Sequence, residues 1–318
     1  VSAAYELIGT PHHLSIHPGG LVITPGPMTD FAPVQSTPKG FLIIQFDHQD
    51  AETIGLAKLD LLGIRALTVL ADAAALVKRY FAPEFTLESI PIDDPQTAHM
   101  LENGDTIGVF QCESSGARRT LRQLKAKNIA DLAVANAFFK PGPATGGMAT
   151  SFVRRYRGDE QTSYLHPALE PILGFTKGVL IFQEQVLRVA RQIAGLSWAE
   201  ADYLRKGMSK FQADAMEQIR ARFVDGCVKV SGFRQEQATT LWEQVEAFAG
   251  YGFNQGHATA YADVSYRSAW LKAHYPAAFL AARLANYGGF HHPAIYIAEA
   301  RQQGIAVRPP HVNHSGYH

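Results

Sequence analysis

The stretch Gln183–Lys210, QEQVLRVARQIAGLSWAEADYLRKGMSK, decides how the chain is read. Val186, Val189 and Ile193, with Leu187 and Ala190, fall at helical spacings and form an apolar stripe fit for burial. Gly195 suits a helix stop in the left-handed region. Ser197, with Glu200 three residues on, has the form of a capping box that starts a second helix at Trp198. That helix turns Leu204 and Met208 inward and places Arg205, Lys206 and Lys210 on one side. Lys206 and Lys210 stand four apart, a like-charge pair costing roughly a few tenths of a kcal/mol in an isolated helix. An anion docked between them reverses that sign, and a triphosphate or a nucleic-acid backbone has the matching chemistry. A solvated cationic face accounts for the same residues, so the rest of the chain has to decide.

The 318 residues, 47% hydrophobic and 18% charged, describe a soluble globular protein large enough to divide into two or three parts. No apolar run approaches the ~18 residues of a membrane span, and no signal peptide opens the chain. Val1–Tyr5, without an initiator methionine, is expected of a chain cut from something longer. Cys112 and Cys227 lie far apart without metal-like spacing, as expected of two core thiols in a reducing cytoplasm. His12, His13 and His17 lack a carboxylate or cysteine to complete a metal set.

Net charge is +0, but the average hides an asymmetry. Lys39–Glu113 carries twelve acidic residues against five basic, and Ser114–Lys210 fifteen basic against seven acidic. Because screening cuts off contributions beyond about 8 Å, the middle of the chain attracts phosphate although the whole is neutral.

The expected fold is mainly α with a small β portion (α+β). Short strands are expected at Leu21–Ile23, at Phe41–Phe46 (apolar throughout, hence buried on both faces) and at Ala57–Leu61, all before Leu62. Helices are expected at Leu67–Phe81, Pro95–Glu102, Gly116–Lys125, Ala130–Phe139, Gln183–Ala194, Trp198–Met208, Ala213–Val230, Gln235–Phe248, about Ala258–Ala273 and around Ile295–Gln302, with Ala277–Leu284 continuing the core packing. In Gly116–Lys125, Leu121 and Leu124 face inward and Arg118, Arg122 and Lys125 outward. The loop Ala249–His257 holds three glycines and two aromatics: Gly252 and Gly256 let backbone approach a ligand, the following helix points its amides at an anion, and Tyr251 and Phe253 suit base stacking. Asp60 ends a strand with Lys58 on the same face, a placement shared by metal-binding carboxylates and by ordinary surface ion pairs.

LRKGMSK, with QEQV before it and FAGYGFNQGHATAY after it, resembles the bacterial C-family replicative DNA polymerase alpha subunits, including their error-prone relatives. HPGGLVI (His17–Ile23), IGLAKLDLLGIRALT (Ile54–Thr68), GVFQCES (Gly108–Ser114), KPGP (Lys140–Pro143) and HPALEPIL (His166–Leu173) are similar to that family and come in its order, so the resemblance covers almost the whole chain. It implies a partial nucleotidyltransferase palm over residues 1–62 and a large helical fingers domain over 63–287. From 288 it implies the start of a region that binds duplex DNA and the sliding clamp.

The implied activity is template-directed DNA synthesis, in which a primer 3′-hydroxyl attacks a dNTP with Mg²⁺ and releases pyrophosphate. Asp60 matches a catalytic metal-binding carboxylate and Lys58 its companion lysine. Arg205 and Lys206 match a consecutive Arg-Arg that grips the triphosphate, with Lys206 lacking the guanidinium fork. Lys210 is the remnant of a longer lysine run. Tyr251, Asn254 and His257 match residues that shape the base-pair pocket, and Gln255 stands where the family has lysine. Arg118, Arg119, Arg122 and Lys125 are electrostatic candidates for the DNA backbone. The family's PDxDxDF string, source of two further carboxylates, is absent from the sequence, so the chain by itself is expected not to polymerise DNA. Implied partners are primer-template DNA, dNTP, the sliding clamp and other replisome subunits, and no membrane. Two other classes stay open: a non-catalytic DNA- or nucleotide-binding remnant, and a helical interaction scaffold.

Overall fold

A computed structural model describes residues 8, 10, 15–138, 148–207, 213–249, 252–287 and 289–315, without the side chains of 148, 149, 206, 207, 213–216 and 249. The chain forms two compact units, Val1–Ile64 and Arg65–His318.

The first unit holds two antiparallel strand pairs. Strands β1 (Gly20–Ile23), β2 (Val34–Ser36), β3 (Leu42–Ile44) and β4 (Ala57–Asp60) pair β1 with β4 and β2 with β3. Gly20 faces Asp60 and Val22 faces Lys58 across the first pair. A Cβ on Gly19 would fall 2.3 Å from the Leu61 carbonyl oxygen, so only glycine lets the HPGG turn close onto the end of β4. A short helix, α1 (His48–Thr53), precedes β4; Asp47 caps it by accepting from the Gln49 and Asp50 amides, both at 2.8 Å.

The apolar run at Phe41–Phe46 departs from its expected burial. Phe41 is 63% and Leu42 64% exposed, and the strand spans only Leu42–Ile44. A strand within a two-stranded ribbon has one partner and no covering layer of its own, so apolar composition alone does not bury it.

The second unit is helical around two cores. The first gathers on α12 (Gln255–His274), whose Ala258, Ala262, Ala269 and Leu271 are fully buried. Preceding it in the chain are α2 (Arg65–Tyr80), α3 (Pro95–Asn103), α4 (Ser115–Leu124), α5 (Ile129–Phe138) and α6 (Met148–Arg157). The small residues of α12 let α5 approach closely, and α5 is buried almost all round. Gly104 closes α3 in the left-handed region at φ 65°. The basic helix α6 was not anticipated; its Phe152 inserts into the first core.

The second core joins α7 (Glu170–Leu173), α8 (Gln183–Arg188), α9 (Trp198–Gly207), α10 (Ala213–Ser231) and α11 (Gln235–Ala249). The helix expected over Gln183–Ala194 is regular only to Arg188 and then widens into a π-turn at Val189–Ile193 before Gly195 at φ 68°. A Cβ on Gly226 of α10 would lie 1.9 Å from the Ala194 carbonyl oxygen, so glycine permits this near-contact of backbones. The Ser231 hydroxyl donates to the Ile193 carbonyl at 2.8 Å, supplying a partner at the widened turn.

After α12 come α13 (Pro276–Ala285) and α14 (Pro293–Gln302). Ala300 of α14, in the stretch assigned from sequence to a following region, lies in the first core. Glu299 of α14 pairs with the buried Lys272 of α12 at 2.7 Å, and the same ammonium donates to the Asp105 carbonyl at 2.8 Å. Burial pulls this ammonium below its ordinary 10.5, and Glu299 opposes the pull. Lys272→Met should therefore lower the stability of the second unit by about 3–5 kcal/mol, because Glu299 is left uncompensated. Lys272→Met with Glu299→Leu should recover most of that loss in urea denaturation.

Candidate nucleotide-binding site

The capping box that starts α9 forms as the spacing requires. The Ser197 amide donates to Glu200 Oε2 at 2.8 Å, the Ser197 hydroxyl donates to the same oxygen at 2.6 Å, and the Glu200 amide donates to Ser197 Oγ at 3.3 Å. Leu204 is fully buried, which fixes the rotation of α9 and carries Arg205 to the partly exposed side. Arg205 is not a bare cation. Its Nε and Nη2 donate to Asp202 Oδ1 at 2.9 and 2.8 Å, and its Nη1 donates to Gln183 Oε1 at 3.4 Å. Lys206 lies on the same helix with its side chain outside the described residues, where Lys210 and Tyr251 also fall.

Gln183 connects this helix to the glycine-bearing loop. Its amide donates to the Phe253 carbonyl at 2.9 Å, beside a parallel bridge between Phe182 and Phe253. A Cβ on Gly252 would lie 2.8 Å from Gln183 Cγ and 2.7 Å from Phe248 Cε1. The close approach that glycine allows here is thus to the protein's own side chains, where the sequence had suggested a ligand.

The N-terminus of α12 is likewise satisfied from within. Asn254 Oδ1 accepts from the His257 amide at 2.7 Å, and Asn254 Nδ2 donates to Glu184 Oε1 at 2.8 Å. Glu184 Oε2 accepts from the Gln255 amide at 2.8 Å. The anion expected at this helix start is the protein's own carboxylate, and Asn254 serves as a cap. His257 packs on Tyr261 with ring centroids 4.0 Å apart and meets Phe253 edge-on at 5.5 Å. Phe253 is half-buried and packs against the first core.

The α4 cations divide. Arg118 Nε donates to the Gly104 carbonyl at 2.7 Å, so this part-buried side chain finishes the end of α3 and does not project outward as expected. Arg119, Arg122 and Lys125 are exposed.

In the first unit, Lys58 Nζ donates to Asp60 Oδ1 at 2.6 Å, and His17 Nδ1 lies 3.9 Å from the same oxygen. The hydrogen bond from Lys58 holds the Asp60 carboxyl below its ordinary 3.8, helped by the nearby His17 and His48. Among the described residues, no group of three or more histidines, cysteines and carboxylates is placed to hold a metal ion. One exposed carboxylate bound to an ammonium does not fit a two-metal centre, which needs two or three carboxylates around paired ions. Both cysteines are buried and free, and burial pushes each thiol up to about 12.

Gln183, Glu184 and Asp202 were not singled out from sequence. The i,i+3 spacing of Asp202 and Arg205 was a readable signal; the pairing of Glu184 with Asn254, seventy positions apart, was not. Among the described residues, no helix is long and apolar enough to cross a membrane.

Comparison with known proteins agrees with these sequence strings. The bacterial DNA polymerase III alpha subunit finger domain matches residues 66–231, and the bacterial DNA polymerase III alpha NTPase domain matches residues 1–63. The DNA polymerase III subunit alpha of Thermus aquaticus is 40% identical over 323 residues, covering 100% of this chain and 26% of that protein. The subunit alpha of Aquifex aeolicus is 36% identical, covering 99% of this chain and 27% of the relative. An error-prone DNA polymerase of Mycobacterium bovis is also 40% identical, over 100% of this chain and 29% of its own length. The chain thus spans between a quarter and a third of the length of these relatives.

Loss of the Ser197 cap tests how α9 is anchored. Ser197→Ala should cost about 1 kcal/mol in chemical denaturation near neutral pH. The Ser197 hydroxyl, then the Ser197 amide and Arg222, hold the folded Glu200 carboxyl below its ordinary 4.5. That contribution is complete above pH 4.5 and is lost as pH falls through the lower folded value. The difference between wild type and variant should therefore shrink on acidification below 4.5.

Proposed function

We propose, for a chain that belongs to the bacterial DNA polymerase III alpha-subunit family, that it supplies the nucleotide-gripping and DNA-contacting part of template-directed DNA synthesis. Arg205, with Lys206 and Lys210, takes the dNTP triphosphate. Tyr251 and His257 shape the base-pair pocket, and Asn254 holds the pocket's helix in place. Arg119, Arg122 and Lys125 track the phosphates of primer-template DNA, while Arg118 contributes only charge from its place against Gly104. Asp60 and Lys58 are the chain's share of the catalytic centre.

The observation that carries this reading is the continuity between the cationic helix and the glycine loop. Arg205 reaches Gln183 at 3.4 Å, and Gln183 reaches the Phe253 carbonyl at 2.9 Å, so two segments separated in sequence share one framework. Displacement of Asp202 by a phosphate would leave the Arg205 fork free for two parallel charge-assisted hydrogen bonds. A cytoplasmic setting with the sliding clamp and other replisome subunits as partners follows from the same reading.

A second reading is favoured by the state of Asp60. Its one carboxylate is tied to Lys58 and the PDxDxDF string is absent, which suits a module that binds nucleotide and DNA without catalysing by itself. Both readings require binding; a helical scaffold requires none.

Binding of dNTP with Mg²⁺ in solution should weaken at least 10-fold in Arg205→Ala, matching about 1.5–3 kcal/mol for a hydrogen bond to a charged group. Arg119→Ala with Arg122→Ala should weaken primer-template binding and lower the slope of log affinity against log salt by about 2. Unaltered affinity in both variants, read by fluorescence anisotropy, would leave only the scaffold.

A further inference from the structure

We infer that Gln183 and Glu184 are positioning residues, a two-residue clamp that sets where Arg205 stands relative to the base-pair loop without either side chain needing to touch the nucleotide. The inference rests on the proposed triphosphate grip and identifies what holds it in register.

Arg205 has two edges. Asp202, three residues earlier on the same helix, takes the Nε–Nη2 edge at 2.8–2.9 Å. This fixes the guanidinium relative to α9 alone. The only described partner of Nη1 is Gln183 Oε1, from a different helix, at 3.4 Å. Gln183 is itself fixed at its backbone by the Phe253 carbonyl, and its Cγ takes the space that a side chain on Gly252 would need. A shift of α9 against the loop must therefore break the Gln183 contact or strain a backbone hydrogen bond.

Glu184 completes the clamp on the next residue. Its two oxygens take one donor each, Asn254 Nδ2 and the Gln255 amide, both at 2.8 Å. A carboxylate at the first turn of a 20-residue helix gains from the helix dipole as well as from the two hydrogen bonds. Asn254 can then use its other end, Oδ1, on the His257 amide. Glutamine at 184 would keep the shape but oppose one amide group to the Asn254 amide group. The same carboxylate denies the start of α12 to phosphate, so a triphosphate is directed to the Arg205 side. Positioning at this level matters because a displacement of about 1 Å in a reacting group costs on the order of 100-fold in rate.

The test is a double-mutant cycle on dNTP affinity of the 318-residue chain, with amide hydrogen exchange as a second measurement. Gln183→Met keeps the side-chain length and removes the acceptor. It should weaken dNTP binding about 3–10-fold when Arg205 is present and less than twofold in the Arg205→Ala background. Glu184→Gln should raise exchange at the Gln255 amide and weaken dNTP binding with the circular dichroism spectrum unchanged. Independent, multiplicative effects of Gln183→Met and Arg205→Ala would overturn the clamp while leaving the triphosphate grip standing. So would a freely exchanging Gln255 amide with affinity within twofold of wild type. A wild-type chain that binds no dNTP, or one indifferent to Arg205→Ala, would overturn the grip and the clamp together.

Discussion

Helix α12 is the element around which the first core of the second unit gathers, and near both of its ends polar side chains tie it to other segments. At its start, Asn254 and Glu184 accept from the His257 and Gln255 amides. Near its end, Lys272 gives its ammonium to Glu299 and to the Asp105 carbonyl, drawing α14 and the end of α3 onto the same core. Between them the helix turns Ala258, Ala262, Ser265 and Ala269 to its neighbours. Small residues let α5 come close, while Tyr266, Trp270 and Leu271, buried on the same helix, supply apolar area that specifies its rotation. The end groups add to that specification. The buried Lys272 ammonium has few alternative partners, so it discriminates among packings that the apolar faces alone would tolerate.

The same helix start joins the two cores of the second unit. Phe182 belongs to the first core and Val186 to the second, and the two residues after Phe182 carry the contacts to Phe253, Asn254 and Gln255. The second core has its own tight point, the π-turn at Val189–Ile193 against Gly226. Widening the helix there puts Ala194 against α10, and the Arg191 guanidinium reaches the Leu196 carbonyl at 2.9 Å across the turn. Helix α9 then starts from Ser197 with its direction already constrained. The position of Arg205 is thereby inherited from packing two turns upstream as well as from its own helix.

What could be read from the sequence was local. Ser197 and Glu200 form their box because partners three residues apart meet in any helix start. Gly104 and Gly195 take the left-handed conformation that their positions after apolar runs announce. Leu121, Leu124 and Leu204 face inward because period 3.6 leaves them no other side. The family was legible for a different reason: strings such as KLDLLG and YGFNQGH occur in a fixed order that no single string reveals. The unread features depended on contacts between segments. Nothing near Arg118 announces that Gly104 needs its guanidinium, nothing in VARQI marks a π-turn, and Phe41 and Leu42 carry the composition of a buried strand without the second layer that would bury them. Asp202 is the instructive exception. Its spacing to Arg205 is visible in the sequence, three residues apart on one helix.

That exception bears on how charge should be counted in this protein. The excess of basic residues over Ser114–Lys210 suggested a continuous cationic field. Its members do different work: Arg118 completes a helix end, Arg155 binds Glu160 at 2.8 Å and the Lys177 carbonyl at 3.2 Å, and Arg205 pairs with Asp202. A guanidinium already matched to a carboxylate contributes a dipole rather than a monopole to its surroundings, and a dipole's potential falls off faster with distance. Under the proposed function, long-range attraction for phosphate would therefore rest on exposed cations such as Arg119, Arg122 and Lys125, while Arg205 would act at contact range, where a phosphate would compete directly with Asp202. The proposed grip would discriminate by geometry. Asp202 takes the Arg205 Nε and Nη2 groups on the single oxygen Oδ1, so an anion that brings two oxygens to the fork, as a phosphate would in the proposed grip, gives each donor its own acceptor, which a diffuse ionic atmosphere does not.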